Sequence, residues 1–200
     1  MAGKLLEMRH VNKTFGGVYA LKDMDFDLDQ GEIHCLVGQN GSGKSTLIKI
    51  IAGIIDSDEG SEIFIHGKRR LKAGAKKSMG NGICVIYQDL SLFPSLTVAE
   101  NIAFYDTIKN KRPFVDWKKI RASAQKALDS IKERLDPEAL VADLSIAGRQ
   151  LVAIARSLAL NAQLIIMDEP TSSLTRKEVN VLFSVIKDLR KKGITILFVS

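Results

Sequence analysis

Gly38-Gln39-Asn40-Gly41-Ser42-Gly43-Lys44-Ser45 places glycines, a lysine and a hydroxyl at the spacing Gly-x-x-x-x-Gly-Lys-Ser. That pattern suits the cradling of a row of phosphates. Glycines at 38, 41 and 43 let backbone N–H groups curl round anionic oxygens without side-chain obstruction. A helix starting at the end of the loop would add the partial positive charge of its N-terminus. Lys44 is then placed to bridge the outer phosphates, and the Ser45 hydroxyl to ligate Mg²⁺. Asn40, Ser42 and Thr46 belong to the same phosphate-binding set. A second pair of candidates ends an apolar run, Leu164-Ile165-Ile166-Met167-Asp168-Glu169. In parallel sheets, ligand groups gather beyond the carboxyl ends of strands. Asp168 there suits the metal, through water, and Glu169 suits polarising an attacking water. Alone, the pair reads more readily as solvated acids capping a strand before the Pro170 turn. The phosphate loop tips the reading to metal and base.

The elements around these residues alternate. Leu5–Phe15 reads as a strand entering a Gly16-Gly17 turn, and Met24–Leu28 as a half-exposed strand. Glu32–Val37 is short and apolar enough for a buried strand leading into the loop. Thr46–Ala52 reads as the following helix, closed by Gly53. Ser61–His66 and Gly82–Tyr87 read as strands. Thr97-Val98-Ala99-Glu100 has the spacing of a capping box. A helix follows from about Trp117 to Leu135, with Ile120, Ala124, Ala127, Leu128 and Ile131 on one face and Pro137 ending it. Another starts after Ser145 and carries Leu151, Ile154, Ala155 and Leu158. Leu164–Met167 reads as a buried strand. Arg176–Lys192 reads as an amphipathic helix with Val179, Leu182, Phe183, Ile186 and Leu189 inward. Ile194–Val199 is the last strand. Strand–helix alternation predicts an α/β fold with a parallel sheet covered on both faces, interrupted by a helical segment from about 90 to 160.

Composition sets bounds. Of 200 residues, 46% are hydrophobic and 26% charged, an ordinary globular balance. No apolar run has bilayer length and no secretory signal is visible, so the sequence reads as cytosolic. Cys35 and Cys84 sit in apolar runs and read as buried thiols in a reducing compartment. The net charge of +6 gathers in Lys68–Lys77 and Lys109–Arg121. Without a base-reading basic helix or an aromatic-interleaved basic strand, nucleic acid is not expected.

The order of parts resembles the nucleotide-binding domain of ABC transporters over nearly the whole chain. Gln88, in Tyr-Gln-Asp-Leu-Ser-Leu-Phe-Pro-Ser-Leu-Thr-Val-Ala-Glu-Asn, resembles the family's Q-loop, which senses metal and γ-phosphate and touches the transmembrane partner. Leu144-Ser145-Ile146-Ala147-Gly148-Arg149-Gln150 occupies the place of the signature motif, whose serine contacts the γ-phosphate held by an opposing domain. Ser172-Ser173-Leu174-Thr175 matches the D-loop. Phe15 resembles the aromatic residue that stacks on adenine, with core packing an equal alternative. Gly17-Val18-Tyr19-Ala20-Leu21, Leu-Ser-Ile-Ala and the D-loop threonine are similar to the ribose, galactose and xylose importers, which carry two such domains per chain.

The resemblance implies a P-loop NTPase fold: a RecA-like core with a mixed, largely parallel sheet, an antiparallel β subdomain, and an inserted helical subdomain at about 91–160 between 1–90 and 161–200. It implies an ATPase using ATP and Mg²⁺. Glu169 and Gln88 would be catalytic, and Ser45, Gln88 and Asp168 would hold the metal. Phe15, the loop 38–46 and Ser145 would bind nucleotide. The implied partners are a second ATP-binding domain, a transmembrane permease at the cytoplasmic face of the membrane, and indirectly an extracytoplasmic solute-binding protein.

Four features depart from the family pattern, one being Gly148, which stands where the sugar branch usually has Gln. Ile146 and Ala147 stand where the family has glycines, and a β-branched residue resists positive φ. Thr175 replaces an aspartate. The family's switch histidine would follow Ser200, so the chain reads as the N-terminal part of a tandem protein, weakly active in isolation. Two other readings compete. A chromosome or DNA-repair ATPase of the same fold would be favoured by a coiled coil or zinc module between Gln88 and Ser145, which the sequence lacks, and a translation factor stays open. A nucleotide-binding module without catalysis is the other.

Overall fold

Alternation of apolar and polar side chains drives the first two strands, β1 (Lys4–Phe15) and β2 (Val18–Asp29). In β1, Leu5, Leu6, Met8 and Val11 are buried and the residues between them face water or half-exposed ground. The two strands form an antiparallel hairpin through Gly16 and Gly17, whose φ of 54° and 85° suit a tight turn. The computed structural model describes residues 3–70, 82–109 and 116–200. Much of both basic stretches, Lys68–Lys77 and Lys109–Arg121, falls outside the described residues.

The chain divides into two units. The first comprises residues 1–85, 163–168 and 190–200. It contains two sheets. One has the order β2-β1-β4-β5, with β4 (Glu62–Ile65) and β5 (Lys68–Arg69) antiparallel to their neighbours. The other has the order β3-β8-β7-β6, from β3 (Ile33–Leu36), β6 (Ile83–Ile86), β7 (Leu164–Asp168) and β8 (Thr195–Val199). β8 runs parallel to both β3 and β7. Helix α1 (Lys44–Ile51) shares one apolar core with the two sheets, in which Leu6, Leu28, Ile50, Leu164, Ile166 and Leu197 are at most 1% exposed. The half-buried Arg70 guanidinium donates to the carbonyls of Ile50 (2.6 Å) and Ile51 (3.0 Å), satisfying the C-terminus of α1.

The second unit comprises residues 86–162 and 169–189 and is helical. Helix α2 (Val98–Lys109) starts on the expected capping box: Glu100 accepts from the Thr97 N–H at 2.7 Å, and Thr97 Oγ1 from the Glu100 N–H at 3.2 Å. Helix α3 (Trp117–Ile131) buries Ile120, Ala124, Ala127, Leu128 and Ile131, the predicted face. Helix α4 (Ile146–Ala159) packs with both and is buried over most of its length. Helix α5 (Arg176–Lys191) buries Leu182, Val185, Ile186 and Leu189.

Four expectations are corrected. β2 is longer than Met24–Leu28, because pairing with all of β1 carries the strand back to Val18. Glu32–Val37 is not a buried strand, and Cys35 is exposed, because β3 stands at the sheet edge; only Cys84 is buried. Helix α3 stops at Lys132, whose φ of 57° closes it well before Pro137. Phe183 is 40% exposed and Val185 takes the inward position instead.

Candidate functional site

In the first unit, register places the candidate residues. Leu36, at the end of β3, pairs with Val199, and Val199 pairs with Asp168. Adjacent strands lie about 4.8 Å apart, so Asp168 stands roughly 10 Å across the sheet from the strand that feeds the loop. The Gly38 N–H donates to the Ser200 carbonyl at 3.2 Å, and the Ser200 N–H to the Leu36 carbonyl at 3.1 Å. The loop therefore leaves the sheet at the carboxyl ends of its strands, where a ligand site is expected.

The loop itself is made of backbone. Gly43 is the N-cap of α1, with φ 90° and no side-chain cap. A Cβ on Gly43 would stand 2.5 Å from the Ala20 carbonyl oxygen and 2.8 Å from a Leu21 methyl. One on Gly38 would stand 2.7 Å from Ser42 Oγ. Gly41 adds a φ of 83°. The Ser42 N–H donates to the Gln39 carbonyl at 3.1 Å, closing the curl. Lys44 Nζ folds back over it and donates to the carbonyls of Gly38 and Gln39. The first turn of α1 carries no acidic residue to repel an anion. Ser45 is exposed and Thr46 half-buried.

This geometry fits a polyphosphate: glycine-lined, open, cationic and seated on a helix N-terminus. Among the described residues, no three His, Cys, Asp or Glu side chains gather to hold a metal ion. The Ser45 hydroxyl and the Asp168 carboxylate are hard oxygen donors that suit Mg²⁺, an ion that keeps several waters and shares phosphate oxygens. The donor set therefore fits Mg²⁺ brought with a nucleotide.

Phe15 ends β1 and is 51% exposed, so it is not a core residue. Lys13 Nζ sits 5.4 Å from the centroid of its ring and 3.1 Å from Asp58 Oδ1. The hydrogen bond from Lys13 holds the Asp58 carboxyl below the usual carboxylate range.

Gln88, Ser145 and Glu169 belong to the second unit. Ser145 is the N-cap of α4, and its Oγ accepts from the Gly148 N–H at 3.1 Å. Ile146 and Ala147 form the first helical turn, so the positive φ that a β-branched residue resists does not arise there. Ile146 is 46% exposed. Thr175 Oγ1 likewise accepts from the Glu178 N–H, at 3.4 Å, and the Thr175 N–H and Oγ1 donate in return to the Glu178 carboxylate at 2.9 and 2.8 Å. These bonds hold the Glu178 carboxyl below its usual range.

Two buried side chains of α4 grip the loops that carry Gln88 and Glu169, and sequence reasoning missed both. Exposed Gln88 begins a turn in which Leu90 and Ser91 have φ of 58° and 44°. Arg156, 8% exposed, donates to the carbonyls of Leu90 (2.9 Å) and Ser91 (2.7 Å). Glu169 has a φ of 46°, a left-handed conformation that costs a non-glycine residue about 1–3 kcal/mol. The Ser172 hydroxyl donates to the Glu169 carbonyl at 3.1 Å. Gln150, also 8% exposed, donates its amide to the carbonyl of the next residue, Pro170.

Residues 21–172 match the family described as ABC transporter. The chain is 45% identical over 197 residues to a putative ribose/galactose/methyl galactoside import ATP-binding protein of Agrobacterium fabrum, covering 98% of this chain and 38% of that protein. It is 44% identical over 199 residues to the ribose import ATP-binding protein RbsA 1 of Streptomyces avermitilis, again covering 38% of the relative. The chain thus spans well under half the length of these curated relatives. Among solved structures it resembles the ATP-binding cassette MJ1267 of an ABC transporter in its ADP conformation, with a TM-score of 0.85 and 26% identity. That match covers 99% of this chain and 81% of the cassette. It also resembles the dimeric post-hydrolysis state of the cassette MJ0796 bound to ADP and Pi, with a TM-score of 0.79 at 28% identity, over 98% of this chain and 87% of that one.

Proposed function

The chain belongs to the ABC transporter family of ATP-binding domains, and from that membership we propose that it binds and hydrolyses ATP to drive a membrane importer for a sugar of the ribose or galactose class. The observation that carries nucleotide binding is the phosphate cradle at the end of β3, where Gly43 admits no side chain and α1 opens toward the loop. Its relatives' names support the cargo class.

The residue roles follow from chemistry. Backbone N–H groups of residues 38–46, with Asn40, Ser42 and Thr46 among them, hold the phosphates, and Lys44 leaves the loop carbonyls to bridge the outer ones. The exposed ring of Phe15 stacks on adenine. Ser45, Asp168 and Gln88 would hold Mg²⁺, which would supply charge neutralisation at the phosphates. Glu169, at the end of an apolar strand, orients and deprotonates the attacking water. Ser145 caps a helix whose N-terminus offers a second anion site, for the γ-phosphate of an opposing domain. Catalysis of this type is mostly positioning and charge stabilisation.

In this reading the 200 residues form one ATP-binding domain, with a helical part at about 91–160 inserted between 1–90 and 161–200. Its partners are a second such domain, a transmembrane permease and, indirectly, an extracytoplasmic solute-binding protein. No helix among the described residues is long and apolar enough to cross a membrane. A place on the cytoplasmic face, beside the permease, fits that role. In isolation the domain binds ATP and turns it over slowly.

The test is uptake of labelled ribose and galactose by cells carrying the assembled transporter. Lys44→Ala abolishes both uptake and ATP binding, and Glu169→Gln abolishes uptake while sparing ATP binding. Undiminished uptake in either variant overturns the assignment. Salt-sensitive RNA binding with no sugar uptake would favour a translation ATPase instead.

A further inference from the structure

Helix α4 begins at Ser145 and carries Gln150 five residues and Arg156 eleven residues further on. Both side chains are buried, and both donate to carbonyls of loops distant in sequence. The Gln150 contact is the more informative, because of where it lands. Pro170 directly follows Glu169, and its ring fixes its own φ. A donor on the Pro170 carbonyl therefore orients the Pro170–Thr171 peptide, the second one beyond Glu169. The Ser172 hydroxyl and N–H, at 3.1 and 3.3 Å, hold the Glu169 carbonyl, in the Glu169–Pro170 peptide that lies between. Glu169 itself sits at a φ of 46°, a conformation that persists only where its surroundings over-determine it.

The chemistry of the amide strengthens the point. A carbonyl only accepts, so the Gln150 NH₂ must face Pro170 and Oε1 must face away. Oε1 is buried and finds no hydrogen-bond partner among the described residues. Leaving an acceptor so is unfavourable, and an apolar side chain of similar shape would avoid it. The donor half of the amide is thus held at the expense of its acceptor half, as expected of a residue whose use lies outside core packing.

We infer that Gln150 is a positioning residue for Glu169: it fixes the left-handed turn that aims the carboxylate, without touching substrate. The inference rests on the proposed role of Glu169 as base.

The test uses the assembled transporter in membrane vesicles. ATP turnover and ATP affinity are measured for Gln150→Leu, which removes the donor, and for near-isosteric Gln150→Glu, which sets a carboxylate oxygen against the Pro170 carbonyl. Each is also combined with Glu169→Gln, whose residual rate is read in single turnover. The expected result is a kcat at least tenfold lower for both single variants, with ATP affinity within twofold of the parent. On the Glu169→Gln background the same changes alter the residual rate less than twofold, since there is no base left to misplace. Turnover within twofold of the parent for Gln150→Glu overturns the inference, as does an undiminished effect on the Glu169→Gln background. Should Gln150→Leu fail to fold, Gln150→Glu is read by the same criteria. Full activity of Glu169→Gln alone would overturn the base assignment, and the inference with it. Loss of activity there beside a silent Gln150→Glu overturns the inference alone.

Discussion

The two units hold their candidate residues by opposite means. In the first, the phosphate loop is shaped by what is missing: side chains that Gly38, Gly41 and Gly43 do not have. Its ligands are backbone N–H groups, and its position comes from strand register and from the Gly38–Ser200 bond. In the second, the Gln88 and Glu169 turns are held by side chains that reach across from α4. A backbone site needs space and a dihedral. A side-chain grip needs a partner at a set distance. The first tolerates almost no added atom, and the second tolerates no lost donor.

The contrast can be broken by substitution, and the largest effect belongs to the helical core. Ile154, 1% exposed in α4, should lose about 2–5 kcal/mol on Ile154→Ala, read by denaturant unfolding. If the units hold their residues independently, ATP affinity of the chain stays within about twofold of the parent, less than 1 kcal/mol. A parallel collapse of binding would break the comparison.

Gly43→Ala comes next. A left-handed alanine costs about 1–2 kcal/mol before any clash with the Ala20 carbonyl. The cradle then opens, and ATP affinity, measured by calorimetry, should fall at least about tenfold. Normal affinity would mean that the loop is not held by backbone space.

Ser145→Ala removes the side-chain cap of α4 and should lower stability by about 1 kcal/mol, a few degrees in melting temperature. An equal loss with Ser145→Thr, which keeps an acceptor, would show that the cap is not the cause.

The smallest effect is a pH dependence at the Phe15 strand. The Asp58 carboxyl is held below its ordinary value of 3.8 by the hydrogen bond from Lys13. Its folded value is depressed, so its contribution is fully present above pH 3.8 and fades as pH falls through the lowered value. Asp58→Asn should lower the melting temperature slightly above about pH 5, where the charged carboxylate contributes, and flatten the acid limb, so that parent and variant converge at low pH.

The same contrast explains what could be read in advance. A backbone site leaves a local trace, because the glycines, Lys44 and Ser45 must be sequence neighbours. The capping box at Thr97 and Glu100 and the inward face of α3 are local too, and both were legible. Phe15 was ambiguous, since an aromatic at a strand end suits core and surface alike. Helix α3 hid its end because Lys132, not a glycine, adopts the left-handed stop. Phe183 and Val185 exchanged roles because both border the apolar stripe of α5. Gln150 and Arg156 left no trace, since their acceptors lie 20 and 65 residues away.

Helix α4 also imposes a rule of phase. Each residue turns an α-helix by about 100° and advances it about 1.5 Å. Ser145, Gln150 and Arg156 each need one bearing, toward the cap, Pro170 and the Gln88 turn. A substitution on another face leaves those bearings intact. A single inserted or deleted residue between Gln150 and Arg156 swings one grip away from its loop, however good a helix former it is. The segment from Ser145 to Arg156 should therefore vary in letters but not in length: it is a ruler, and what it meters is the spacing of two loops along one rod.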